Sequence, residues 1–265
     1  MNRFLLALLL VLASRLPMRA DPGWALVWSD EFNYTGSPDP GKWGYEHGFL
    51  RNHEKQYYTK GRLENARVEG GNLVIECRRE DYRTASGGLA QYTSASLFSK
   101  NPADWLYGRI EVRAKLPEGR GVWPAIWMLG SNISKVGWPA CGEIDIMEFV
   151  GKEPDKIYST LHYSAGGVHK ANHKEFGTPR PSGDFHIYAA EWFPDRIDFF
   201  FDGEKYQTVQ TDEAGVGPDN PFRRPQKLLI NLALGGAWGG DVDDSALPQE
   251  YLIDYVRIYK STGRS

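Results

Sequence analysis

The sequence predicts an all-β protein that folds as a single sandwich of two antiparallel sheets. Its 265 residues include 29 glycines and 13% aromatic side chains, which together favour short strands, half-exposed rings and frequent turns. About ten short segments have the alternation or the continuous apolar character of strands, and no long amphipathic helix is evident. That number of strands over this length is typical of one two-sheet sandwich.

Individual segments along the chain have sequence patterns that predict strands. In GRIEVRAKLP, Ile110 and Val112 alternate with charged neighbours, which indicates a strand with one buried face. EWFPDRIDFFFDG indicates a hairpin whose turn contains Pro194 and Asp195. The connection from Ala165 to Asp184 lacks such a pattern and is predicted to be a surface loop. The remaining predicted strands are GNLVIECRRE, WPAIWMLG, EIDIME, KIYSTLHYS, FHIYAAEWF, KLLINLALGG and YLIDYVRIYK.

The first 20 residues have the layout of a secretory signal peptide. Arg3 supplies a positive charge, an unbroken apolar stretch runs from Phe4 to Ala13, and small residues follow up to Ala20. The apolar stretch is too short to span a bilayer. We therefore expect a signal peptide over residues 1–20, a single domain over residues 21–265, and a monomeric protein that is secreted or periplasmic.

The charge of the mature chain argues against two classes of partner. Loss of the three arginines Arg3, Arg15 and Arg19 with the signal peptide moves the formal net charge from −3 to −6. An acidic protein without a basic run is a poor candidate for binding nucleic acid, and no basic amphipathic helix is present to bind a membrane surface. Cys77 and Cys141 are the only cysteines; they either form one bridge after export or remain two buried thiols.

The segment CGEIDIMEFVG places three carboxylates in an otherwise apolar strand. In a regular strand, Glu143 and Asp145 would point to one face and Glu148 to the other. A β-bulge near Ile146 and Met147 would bring Glu148 onto the face of the other two acids. The sequence therefore predicts a bulged strand that presents all three carboxylates on one side.

The predicted spacing of the two glutamates suits a pair that works on opposite sides of one bond. Their Cα atoms would lie roughly 13 Å apart, four strand steps of about 3.3 Å, and both side chains can lean inward. Carboxyl groups about 5–5.5 Å apart are typical of glycoside hydrolysis with retention. Three clustered acids cannot all ionise cheaply in a partly buried cleft, so at least one should keep its proton at a raised pKa.

GEIDIMEFVG resembles the catalytic strand of glycoside hydrolase family 16, whose acids follow the pattern Glu-x-Asp-x-x-Glu. The resemblance to the laminarinase-like branch extends from about Trp24 to Lys260 and includes LVWSDEFNYTGSPDPGKWGYE, QYYT, YGRIEVRAKLPEGRGVWPAIWMLG, NLALGG and IDYVRIY. It implies a concanavalin-like β-jelly-roll of two antiparallel sheets, with glycan bound along the concave one. It also implies that Glu143 is the nucleophile, Glu148 the general acid/base, and Asp145 the acid that tunes and orients the nucleophile.

Three tryptophans are predicted to stack against sugar rings. Trp123 and Trp127 lie four residues apart, and therefore on one face of an extended segment just before the acidic strand. Trp238, in the glycine-rich GGAWGG, lies in a loop that offers little core for a large ring. The alternative for the Trp123–Trp127 pair is an ordinary place in the core of the sandwich.

The resemblance implies three further binding residues. Asn52, in NHEKQYYT, resembles an asparagine that contacts sugar, and His162 resembles a histidine that contacts the catalytic acids. Arg109 resembles an arginine of the cleft. The alternatives are a buried, hydrogen-bonded histidine at position 162 and an outward ion pair at position 109.

The resemblance also implies a structural calcium ion on the convex side of the sandwich. Its ligands would be the side chains of Glu31 and Asp254 and the carbonyl of Gly71, and oxygen ligands of this kind suit a hard cation. The alternative is that both acids are simple surface residues. No cofactor is expected to be required for catalysis.

These observations leave three functional hypotheses. The first is a secreted, retaining endo-β-1,3-glucanase of the laminarinase type, favoured by the longer acidic motif and its flanks. The second keeps the fold and changes the polysaccharide, to a mixed-linkage glucan or to an agar- or carrageenan-type galactan. The third is a lectin-like sandwich that binds glycan without turnover, which the intact pair Glu143 and Glu148 disfavours.

Overall fold

In the computed structural model of the protein, which describes residues 23–100 and 104–263, seventeen strands form two sheets packed against each other. The predicted signal peptide lies outside the described residues. The strands are β1 (Trp24–Asp30), β2 (Trp43–Tyr45), β3 (Tyr57–Tyr58), β4 (Ala66–Glu69), β5 (Asn72–Arg83), β6 (Leu89–Ser94), β7 (Ser96–Ser99), β8 (Gly108–Lys115), β9 (Val122–Gly130), β10 (Glu143–Glu148), β11 (Lys156–Ala165), β12 (Val168–Gly177), β13 (His186–Trp192), β14 (Arg196–Phe201), β15 (Glu204–Gln210), β16 (Gln226–Leu234) and β17 (Gln249–Ser261). The helices are α1 (Ile133–Val136), α2 (Gly236–Gly239) and the 3₁₀ turns Thr211–Ala214, Pro221–Arg223 and Asp244–Ala246.

The two sheets differ in size. The larger has ten strands, in the order β15-β14-β13-β8-β17-β5-β6-β3, with β1 also paired to β17 and β4 to β5. The smaller has seven, in the order β12-β11-β10-β9-β16-β7-β2. Among these strands only β3 and β6 pair in parallel. The predicted all-β sandwich is confirmed, and the acidic strand β10 lies near the middle of the smaller sheet.

The core lies between the two sheets and is filled from both. Ile110 and Val112 of β8 enter it from the larger sheet, while Ile144 and Ile146 of β10 enter it from the smaller one. All four are at most 1% exposed. Because side chains alternate along a strand, the polar residues of β10 are directed to the outer face of the smaller sheet.

One predicted loop contains a strand. Within the stretch from Ala165 to Asp184, β12 pairs along its whole length with β11 and forms an edge of the smaller sheet. Its side chains are mostly exposed, and several are lysines or histidines. An edge strand exposed on both faces shows no alternation of apolar and polar residues, so its sequence lacked the expected signal. The predicted hairpin is confirmed, with Pro194 and Asp195 in the turn between β13 and β14.

The two cysteines are unpaired. Cys77 and Cys141 are both buried free thiols, which decides between the two alternatives left by the sequence. In the part of the chain that the structure describes, no helix has the length and apolar character needed to cross a membrane.

Candidate active site

The strand β10 contains the predicted bulge. Its pairing with β9 and with β11 shifts between Asp145 and Glu148, where β10 has one residue more than either neighbour. Ile146 and Met147, which are consecutive, are both buried in the core. Two consecutive inward side chains shift the alternation by one residue. Glu148 therefore lies on the same side of the sheet as Glu143 and Asp145.

The three acids line a cleft of about 410 Å³ on the outer face of the smaller sheet. The strands β9, β10 and β16 supply its floor, and the connection between β2 and β3 supplies one wall. A concave site with aromatic and carboxylate lining suits a glycan chain. The lining residues are Glu46, Arg51, Asn52, Glu54, Trp123, Ala125, Trp127, Leu129, Ile133, Trp138, Glu143, Asp145, Glu148, Asn231 and Ala233.

Each glutamate accepts a hydrogen bond from a different indole. Trp138 Nε1 donates to Glu143 Oε2 at 3.1 Å, and Trp123 Nε1 donates to Glu148 Oε1 at 3.0 Å. Trp123 is fixed in β9, whereas Trp138 lies in the turn before β10. These bonds hold the two carboxyl groups in place and favour their ionised forms.

The structure places His162 against two of the acids. His162 is directly opposite Glu143 in the pairing of β10 with β11. Its Nε2 lies 3.3 Å from Asp145 Oδ2 and 3.9 Å from Glu143 Oε1. Asp145 itself is only 3% exposed. A protonated imidazole here would stabilise negative charge on the acids, since its charge lowers the pKa of Glu143.

Burial holds protons on the acidic cluster. Burial, with the neighbouring charge of Asp145 as the second cause, raises the pKa of Glu143 to about 8. The same two causes raise the pKa of Glu148 well above its usual range, and burial alone does so for Asp145. The three groups therefore titrate as a coupled set, and they are not all ionised together at neutral pH.

We expect Glu143→Gln to stabilise the fold increasingly as the pH rises. The pKa of Glu143 in the folded protein, about 8, lies above the reference value of 4.5. The preference of the folded state for the protonated carboxyl group therefore stabilises the protein fully below about pH 4.5, and this stabilisation is lost as the pH rises to about 8. A glutamine keeps the shape and cannot ionise. The difference in Tm between variant and wild type, measured by calorimetry from pH 4.5 to 9, should grow through this window. A difference that stays constant with pH would contradict the raised pKa, and the exposed Glu204→Gln serves as the matched control.

Trp123 and Trp127 both lie in the floor of the cleft. Trp123 is 8% exposed and packs edge-on against Trp238, with ring centroids 5.5 Å apart at 84°. Trp238, in α2, extends this aromatic surface toward Tyr158 on β11, at 4.8 Å. The guanidinium of Arg51 lies over the ring of Trp127, 4.9 Å from its centroid. Trp123 therefore lines the cleft, Trp238 is half-buried against it and is not among the lining residues, and Trp127 lies beneath Arg51.

Trp238→Ala should weaken the binding of long glycan chains without unfolding the protein. Loss of one stacked ring costs roughly 1–3 kcal/mol, about 5–150-fold in affinity, by analogy with bases stacked on aromatic side chains. Calorimetric titration of oligosaccharides of increasing length, together with Tm, checks this expectation. Trp24→Ala, the same change in β1 on the other sheet, is the control. An unchanged affinity with a much lower Tm would show that Trp238 is a core residue.

The wall of the cleft beside Asn52 contains residues that the sequence analysis missed. Asn52 lines the cleft and donates through Nδ2 to Glu54 Oε1 at 3.2 Å. Its neighbour Arg51 forms an ion pair with Glu46, and both line the cleft. Trp138 was missed as well, although it lies between a glycine and a proline in GWPACGE, where a large ring has little core to enter. Trp138 carries the same sequence signal as Trp238 in GGAWGG, a large ring flanked by residues that favour a loop.

Arg109 does not lie in the cleft, and its prediction as a cleft residue is wrong. It belongs to β8 in the larger sheet, where it pairs with Glu111 at 2.7 Å and with Glu191 at 2.9 Å. Its side chain alternates with the core residues Ile110 and Val112, so it points away from the core on the far side of the sandwich. The outward ion pair, the alternative left by the sequence, is the correct description. The guanidinium in the cleft belongs to Arg51.

The acids predicted to bind calcium face arginines. Glu31 receives two hydrogen bonds from Arg257, at 2.9 and 2.8 Å, and Asp254 pairs with Arg113 at 2.8 Å. Gly71 lies in the turn between β4 and β5. In this arrangement both carboxylates are already neutralised by guanidinium groups and do not fit a cation site. No catalytic step is therefore assigned to calcium. Calcium binding stays a prediction.

The fold and the site together define a class of protein. A cleft on one face of a β-sandwich, with paired glutamates above a tryptophan floor, is the site of a glycoside hydrolase. The profile described as Glycosyl hydrolases family 16 matches residues 53–257. The chain belongs to glycosyl hydrolase family 16.

Individual relatives agree with this assignment. A β-glucanase from Rhodothermus marinus is 45% identical over 273 residues, covering 97% of this chain and 93% of the relative. A glucan endo-1,3-β-glucosidase from Cryptopygus antarcticus is 37% identical, covering 97% and 98% of the two chains. The solved structure of a laminarinase from Rhodothermus marinus matches with a TM-score of 0.82 and 44% identity, covering 91% of this chain and 99% of the other. The predicted jelly-roll sandwich is confirmed by this match.

Proposed function

We propose that the protein is a secreted, retaining endo-β-1,3-glucanase of the laminarinase type. The observation that carries the proposal is the bulge in β10, which brings Glu143 and Glu148 to one side of the cleft. The substrate is supported by similar proteins named β-glucanase, glucan endo-1,3-β-glucosidase and laminarinase. Both glutamates are intact, which favours hydrolysis over simple binding.

The proposed reaction is a double displacement. A carboxylate oxygen of Glu143 attacks the anomeric carbon and forms a glycosyl ester, while Glu148 gives its proton to the departing glycosidic oxygen. Glu148 then takes a proton from a water molecule whose oxygen attacks the same carbon, and Glu143 leaves as a carboxylate. Two inversions give net retention, and both glutamates return to their starting states.

The electrostatics of the cleft suit these roles. The raised pKa of Glu148, caused by burial and by the charge of Asp145, keeps a proton on the group that must donate one. Glu143 must ionise before it can attack, and the hydrogen bond from Trp138 and the charge of His162 both lower its pKa. The charge of Asp145 raises the pKa of both glutamates, so a proton on Asp145 eases the ionisation of Glu143.

Rates on four polysaccharides test the proposed substrate. We expect laminarin to be cleaved fastest, followed by lichenan, with no turnover of agarose or carrageenan. Preference for either galactan would replace the glucanase proposal with the second hypothesis. Binding of laminarin by the wild type without turnover would support the lectin-like alternative instead.

The anomeric configuration of the first product tests the mechanism. NMR recorded in the first minutes should show the β anomer before mutarotation, since retention preserves the configuration of the β-glucan. An initial α anomer would show that the two glutamates do not act as nucleophile and acid/base.

Export and oligomeric state form part of the same proposal. Removal of residues 1–20 would release a monomer outside the cytoplasm, where polymeric glucan is available. N-terminal sequencing of the exported protein should begin at Asp21, and light scattering should give the mass of one chain. Retention of the leader, or a dimer at micromolar concentration, would contradict this part alone.

A further inference from the structure

Three potential metal ligands converge at the base of the cleft. An oxygen of Glu143, an oxygen of Asp145 and a ring nitrogen of His162 all lie within 4.8 Å of one another. His162 Nε2 is 3.3 Å from Asp145 Oδ2 and 3.9 Å from Glu143 Oε1. In a tetrahedral zinc site with bonds of about 2.0–2.1 Å, neighbouring ligand atoms are about 3.3–3.4 Å apart. The Glu143 side chain would have to move closer to His162 Nε2 and to Asp145 to complete such an arrangement.

A buried oxygen at this point lacks a hydrogen-bond partner. Among residues 23–100 and 104–263, Asp145 Oδ2 makes no contact that meets hydrogen-bond geometry, although the residue is only 3% exposed; its polar neighbour is His162 Nε2, at 3.3 Å. A buried polar atom left unpaired is costly, and such exceptions mark places where an ion or another partner is missing. A cation between Asp145 and His162 would satisfy this oxygen.

The imidazole of His162 is also held in the way that metal-binding histidines are held. Its Nδ1 lies 2.9 Å from Nε2 of His169 on β12. When Nδ1–H donates to His169, the lone pair of Nε2 is directed at the two carboxylates. The ring of His169 is in turn packed against Trp138, 4.7 Å between centroids. The open cleft above the acids leaves room for water as a fourth ligand.

We propose that Glu143, Asp145 and His162 bind one borderline-soft divalent cation, zinc or copper, and that this ion excludes glucan from the cleft. The mixed nitrogen and oxygen ligands and their small number favour these metals over calcium or magnesium, which take six or more oxygen ligands. The ion displaces the protons held by these acids, binds the carboxylate of Glu143 and is inhibitory. This inference goes beyond the proposed function, because the ion binds whether or not the protein cleaves glucan.

Binding of Zn²⁺ to the mature protein without sugar tests the site. Isothermal titration should give one Zn²⁺ per chain, and His162→Gln should weaken it by at least about tenfold through loss of the nitrogen ligand. His169→Gln should weaken it by about 10–100-fold, the range found when the partner of a metal-binding histidine is removed. His173→Gln is the matched control: it lies on the same strand as His169, its Nδ1 pairs with Thr160 at 3.0 Å, and it should bind Zn²⁺ like the wild type.

Several outcomes would overturn the proposal. They are no Zn²⁺ binding by the wild type at about 1 mM, equal binding by His162→Gln and wild type, or a loss in His173→Gln as large as that in His162→Gln. If His162→Gln does not fold, as judged by circular dichroism, Glu143→Gln removes a carboxylate ligand and should show the same loss. Zn²⁺ should also raise the apparent KM for laminarin and leave kcat unchanged; a lowered kcat at unchanged KM would show that glucan still enters the cleft with the ion bound and would overturn the proposed exclusion.

Discussion

Glu143→Gln should lower kcat on laminarin by roughly 10⁴–10⁶-fold, the scale of loss when a member of a covalent catalytic set is removed. The amide has nearly the same shape as the carboxyl group but no charge, so it cannot form the glycosyl ester. Affinity for the oligosaccharide should persist, because the aromatic floor is unchanged. Rates from reducing-sugar release and affinity from calorimetric titration measure the two effects separately.

Glu204→Gln is the matched control for this experiment. Glu204 is exposed at the start of β15 in the larger sheet, far from the acids in sequence and on the other sheet. Its variant should keep the wild-type rate. A Glu143→Gln protein that still turns over laminarin within tenfold of the wild type would remove Glu143 from the role of nucleophile.

Glu148→Gln should lower kcat on laminarin by about 10²–10⁴-fold, the usual contribution of a general acid or base. The loss should depend on the leaving group. A β-glucoside with an activated aryl leaving group needs no proton to depart, so formation of the glycosyl-enzyme should remain fast and only its hydrolysis should slow. A pre-steady-state burst of released phenol, followed by slow turnover, is the expected result.

The dependence on the leaving group distinguishes the two glutamates. Glu143→Gln should be slow on every substrate, because the attack itself is lost. If Glu148→Gln is equally slow on laminarin and on the activated glucoside, Glu148 does not act as the acid. A burst in Glu143→Gln and none in Glu148→Gln would reverse the two assignments.

The bulge and the cleft floor could be predicted from the sequence because they follow from the alternation of side chains. Three acids in an apolar strand can all avoid the core only if one extra residue is inserted, and β10 has it between Asp145 and Glu148. Trp123 and Trp127 share a face for the same reason. Local geometry of this kind is determined by residues a few positions apart.

The arginine of the cleft could not be found in this way. The alternation with Ile110 already indicated that Arg109 points away from the core. It did not indicate which of the two sheets contains Arg109. Arg51 reaches Trp127 only because the connection between β2 and β3 folds over β9, which is a property of the tertiary structure. The edge strand β12 was missed because its pairing is set by β11 and its own sequence carries no apolar face.

The extra residue in β10 also has a consequence for engineering. Inserting one more residue there would exchange inside for outside in everything that follows and would direct Glu148 into the core. Deleting one would instead remove the bulge and give Glu-x-Asp-x-Glu, in which regular alternation keeps the three acids on one face. The segments beside the cleft, over residues 131–142 and 236–243, are under no such restriction of alternation, because they lie outside the paired strands. Variant libraries that seek a new polysaccharide should therefore vary the length of these rim segments and insert no residue into β10.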